Sequence, residues 1–153
     1  MGNKELSLSE QQENVKIDLA AMFRLTAMFG WDDTVWNHIT ARVPGSEHHF
    51  YMHRFGLSYE EVCASNLIKV DEEGNVLEGP KDVNTAGFII HSAIHLNHPN
   101  NKFVFHAHPP SAIAATAFTV KPEKTFASTA SSVPACVLSM SVSVKFTKLR
   151  STS

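Results

Sequence analysis

The chain has 153 residues, 43% of them hydrophobic and 18% charged, a globular composition with enough length for one buried core. The formal net charge of -2 excludes the basic surface of an ordinary nucleic-acid binder, and no apolar run reaches the ~20 residues of a membrane helix. Two cysteines, Cys63 and Cys136, are too few for a disulfide framework and point to a reducing, cytoplasmic setting.

The start, Met1 to Val15, is polar and acidic, unlike a secretory leader. Residues 8–29 then read as one amphipathic helix. Ser9 and Gln12 have capping-box spacing, Val15, Leu19, Met22, Thr26 and Phe29 recur on one face, and Gly30 supplies the left-handed stop. Residues 34–43 and 49–53 are expected as strands, joined by a turn at Pro44, Gly45 and Ser46. A short helix capped by Ser58 follows, then a hairpin of "LIKVD" and "NVLEG" turning at Glu73 and Gly74. The spacing of Phe88, His91, Ile94 and His95 predicts a helix over 85–97, ended by Pro99. "KFVFHAH" reads as a strand over 102–108, and "SAIAATAF" as a small-residue helix. After Glu123 the chain carries four basic residues and no acidic one, so 131–153 are expected as an atypical Ser/Thr-rich basic tail beyond a partial domain over 1–130.

The unusual count is histidine. There are nine, five of them between His91 and His108. In a strand, His106 and His108 project from one face, with Phe103, Phe105 and Ala107 on the other. Two imidazoles so placed can share one zinc ion, with a third ligand from elsewhere. His91 and His95 share a helix face at i, i+4 and offer a second metal-ligand spacing. Packing accounts for that pair more simply, with one ring against the sheet and the other in water. His48, His49 and His53 are expected at the surface or sheet edge. No Gly-rich phosphate loop, CxxC pair or nucleophile elbow is present.

Four segments together resemble the class II aldolase/adducin domain: the amphipathic helix, "WNHITARVPG", "GLSYEEVCASNLIKVDEEGNVLEG", and "NTAGFIIHSAIHLNHPNNKFVFHAHPPSAIAATAF". The resemblance implies an α/β fold, a three-layer α/β/α sandwich around a mostly antiparallel mixed sheet, often assembled as a homo-oligomer. It implies a zinc-dependent lyase acting on sugar phosphates, or a non-catalytic adducin-like binding module. His106 and His108 match the family's zinc pair. Asn37, and less directly Gly56 and Thr85, match positions around the substrate phosphate. Two departures stand out. The family's catalytic acid lies nineteen residues before the first zinc histidine, and here that position is Gly87. The third zinc histidine falls beyond Ser153, and the tail departs from the family's pattern, so the domain is expected to be incomplete at its C-terminus, with zinc held weakly and an inactive fragment as one outcome.

Overall fold

The computed structural model describes residues 5–111 and 114. The helix α1 runs Leu8–Met28. Its cap is Ser7, not Ser9: the Ser7 hydroxyl accepts from the Glu10 backbone N–H at 3.3 Å, and the Glu10 carboxylate accepts from the Ser7 N–H at 2.8 Å. A charged acceptor in the first turn outcompetes an amide, and Gln12 instead donates to the Pro44 carbonyl. The helix ends as expected at Gly30, whose φ is +63°. Gly30 N–H donates to Ala27 and Trp31 N–H to Thr26, closing a Schellman motif.

Five strands follow: β1 (His38–Arg42), β2 (Phe50–Met52), β3 (Ile68–Val70), β4 (Val76–Glu78) and β5 (Phe103–His106), with the second helix, α2 (Thr85–Asn97), before β5. Their order across the sheet is β4-β3-β2-β1-β5, and every adjacent pair is antiparallel. Residues 34–36, expected as strand, form a 3-10 turn, and the helix expected after Ser58 divides into two such turns, Tyr59–Glu61 and Ala64–Asn66. The β3–β4 hairpin turns where expected. Asp71 ties it by accepting from the Glu73 and Asn75 N–H groups.

The sheet buries both faces, which makes three layers. Leu19, Ala20 and Phe23 of α1 pack on Ile39, Ala41 and Tyr51, with Val15, Met22, Phe103 and Phe105 half-buried beside them. Phe29, expected in this stripe, is exposed because the helix ends before it. On the other face, Phe50, Met52, Ile68 and Val70 meet Phe88 of α2. The odd residues of β1 face α1, and the even ones, His38 and Thr40, face α2. The helix expected over "SAIAATAF" lies outside the described residues except for Ser111 and Ala114. Cys136 and the tail 131–153 lie outside them entirely.

Candidate functional site

The strand β5 stops at His106, and His108 lies just past its end. Their Nε2 atoms are 3.2 Å apart. Two nitrogens bound to one tetrahedral zinc at 2.0–2.1 Å sit about 3.3 Å apart, so the pair fits a shared ion. Asp33, from the loop after α1, meets His108 Nδ1 at 2.9 Å. A carboxylate only accepts, so Nδ1 carries the proton and the Nε2 lone pair points toward His106. That loop turns at Thr34, a β-branched residue at φ +46°, a rarely occupied conformation. Among the described residues no set of three His, Cys, Asp or Glu side chains converges on a metal position, so they supply two ligands and no third.

Behind the pair lies a chain of buried polar groups that runs between the sheet and α2. The β1–β5 register sets His38 opposite His106. His106 Nδ1 is 3.4 Å from His38 Nε2, and His38 Nδ1 is 2.9 Å from His91 Nε2. His91 Nδ1 is 2.8 Å from the Thr40 hydroxyl, which is 2.9 Å from His95 Nε2. His95 stacks on Phe50, with ring centroids 4.6 Å apart, and its carbonyl accepts from Arg42. His91 and His95 are therefore both buried, at 1% and 0% exposure, which corrects the expectation that one is solvated. His53 is buried too, against Phe23 and Tyr59, whereas His48 is exposed and pairs with Glu72.

Burial holds these rings neutral. It pushes His38 down to about 3, with the neighbouring His106 adding repulsion. It brings His53, His95 and His106 to about 4, and carries His91 well below the ordinary imidazole value. A neutral imidazole has one N–H and one bare nitrogen, which suits His106 to metal ligation.

Gly87, in the first turns of α2, lies against His38. A Cβ added there would come within 2.5 Å of His38 Cδ2 and 2.7 Å of Cγ. A side chain at 87 would therefore force the His38 ring to shift.

The segments bearing Asn37, Gly56 and Thr85 are tied together. Asn84 caps α2 through the Gly87 N–H and donates to the Val35 carbonyl at 3.0 Å, and the Phe55 N–H donates to Asp82 at 2.7 Å. Asn37 is fully buried, yet neither its amide nitrogen nor its oxygen has a partner. Gly56 has φ +85° with open space beside it, and Thr85 is exposed on the first turn of α2. Sequence reading missed Asp33, His38 and Thr40, because cross-strand register and a contact spanning 75 residues bring them to the site.

Residues 17–143 match the class II aldolase and adducin N-terminal domain. The chain belongs to this family. It is 45% identical over 111 residues to a Caulobacter vibrioides protein named "Putative aldolase class 2 protein", covering 72% of this chain and 43% of that one. It is 38% identical over 119 residues to alpha-adducin of Rattus norvegicus, covering 76% of this chain and 16% of adducin. Among solved structures, L-fuculose 1-phosphate aldolase from Glaciozyma antarctica superposes with a TM-score of 0.69 at 36% identity, over 74% of this chain and 47% of that one. The chain thus spans less than half the length of these relatives. Among the described residues no helix is long and apolar enough to cross a membrane.

Proposed function

We propose that the chain carries the metal- and phosphate-binding half of a class II aldolase-type site, a zinc-dependent lyase acting on sugar-phosphate-like substrates in the cytoplasm. The observation that carries this reading is the His106–His108 pair, with Nε2 atoms 3.2 Å apart and one tautomer fixed by Asp33. His106 and His108 hold the zinc, which when bound supplies a Lewis acid toward substrate oxygens. Asn37 offers the phosphate a buried amide without a protein partner. Thr85 adds a hydroxyl at the N-terminus of α2, where backbone N–H groups favour an anion. Two ligands alone hold the ion loosely, and an intact member of the family assembles as a homo-oligomer.

A second reading, a binding module without catalysis, is favoured by one observation: position 87 is a glycine with the His38 ring packed against it, and it carries no acid. The absence of general acid–base help typically costs ~10²–10⁴-fold. The experiment is zinc quantitation with an assay of L-fuculose 1-phosphate binding and cleavage. Chelator-sensitive cleavage lost in His106→Ala supports the lyase. Zinc and ester binding without cleavage supports the module. A chain that takes up neither overturns both.

A further inference from the structure

The His106–His38–His91–Thr40–His95 chain has a property that its members lack singly. All four rings are buried, and a neutral imidazole carries one N–H and one bare nitrogen. The first three rings have both nitrogens engaged, and Thr40 has one hydroxyl proton to place between two rings. One ring's tautomer therefore dictates the next, and the chain has two polarities. In one, every ring is Nε2–H, His95 donates to Thr40, Thr40 to His91, His91 to His38, His38 to His106, and His106 to His108 Nε2. In the other, every ring is Nδ1–H, the bonds linking His95, Thr40, His91, His38 and His106 reverse, and the His106–His108 contact is left without a proton.

We infer that the chain is a proton-polarity relay, which runs Nε2–H in the metal-free protein and reverses to Nδ1–H when His106 gives its Nε2 lone pair to a metal. This rests on the metal reading above. Without a metal, the Nδ1–H polarity sets two bare nitrogens face to face at 3.2 Å, whereas the Nε2–H polarity turns the same contact into a hydrogen bond. Ligation removes the His106 Nε2 proton. The ring then takes a proton from His38 at Nδ1, His38 from His91, His91 from Thr40 and Thr40 from His95. One proton leaves at His106 Nε2 and one enters at His95 Nδ1, so the count is unchanged. His95 Nδ1 is buried, and no group meets it in hydrogen-bond geometry, so it is the open end of the chain. The relay makes His38, His91, Thr40 and His95 positioning residues for the ligand, and it explains why α2 spends its buried face on two histidines.

The test is two-dimensional ¹⁵N–¹H NMR of the full chain, reading each imidazole's tautomer with and without zinc, beside zinc competition titrations of variants. The expected result is Nε2–H on all four rings without zinc and Nδ1–H on all four with it. Thr40→Val should lower zinc affinity about tenfold and uncouple His95 from the metal, and Thr40→Ser should restore both. If Thr40→Val fails to fold, the wild-type tautomers alone decide. A His95 that stays Nε2–H when zinc binds overturns the relay. No zinc uptake by the wild type refutes the metal reading instead, and the metal-free tautomers then judge the relay: a break in polarity at any ring overturns it.

Discussion

Gly87 and His38 occupy space that only one side chain can fill. A Cβ at 87 would sit 2.5 Å from His38 Cδ2, and the ring cannot swing aside without losing its contacts to His91 and His106. Gly87→Ala is therefore expected to lower stability by about 1–3 kcal/mol, the usual cost of overpacking, although alanine is the better helix former. Urea unfolding checks this. In a His38→Ala background the same change should cost far less, and the size of that coupling measures the contact. An alanine tolerated as well in the wild type as in that background would mean that the ring has room to move.

The helix α1 offers a sharper local contrast, since two serines compete for its cap. Ser7 and Glu10 exchange the capping-box bonds, while Ser9 stands inside the first turn. Ser7→Ala should cost about 1 kcal/mol by urea denaturation and Ser9→Ala nearly nothing. The reverse order would restore the cap to Ser9. Most elements were legible because their signals are local. The amphipathic stripe, the left-handed Gly30, the "EEG" hairpin and the helix ahead of Pro99 all fall where the residues place them. Two features were not legible. The sheet is buried on both faces, so the polar residues that alternate with Ile39 and Ala41 in "HITAR" look solvent-facing although they are buried against α2. The pairing of His38 with His106 is set by strand order, and strand order is not written in either strand.

Five neutral buried imidazoles make the stability of the fold depend on pH. His38 is held to about 3, His53, His95 and His106 to about 4, and His91 well below its ordinary value, all chiefly by burial. In the unfolded chain these rings take up protons near pH 6.5, before the folded protein can. Their neutral state thus favours folding fully above about pH 6.5, and that advantage is lost as pH falls toward 4 and 3, each ring adding a slope of up to about 1.4 kcal/mol per pH unit. Metal-free protein should lose stability steeply between pH 6.5 and 4.5, before most carboxylates titrate, as urea midpoints across that range will show. A flat profile there would mean that the rings are not buried together. If His106 and His108 form one metal-binding pair, zinc titration of the metal-free chain beside its single variants should show uptake of at most one zinc per chain, weak and removable by chelator, and abolished alike by His106→Ala and by His108→Ala. A tight ion that survives either substitution would contradict it.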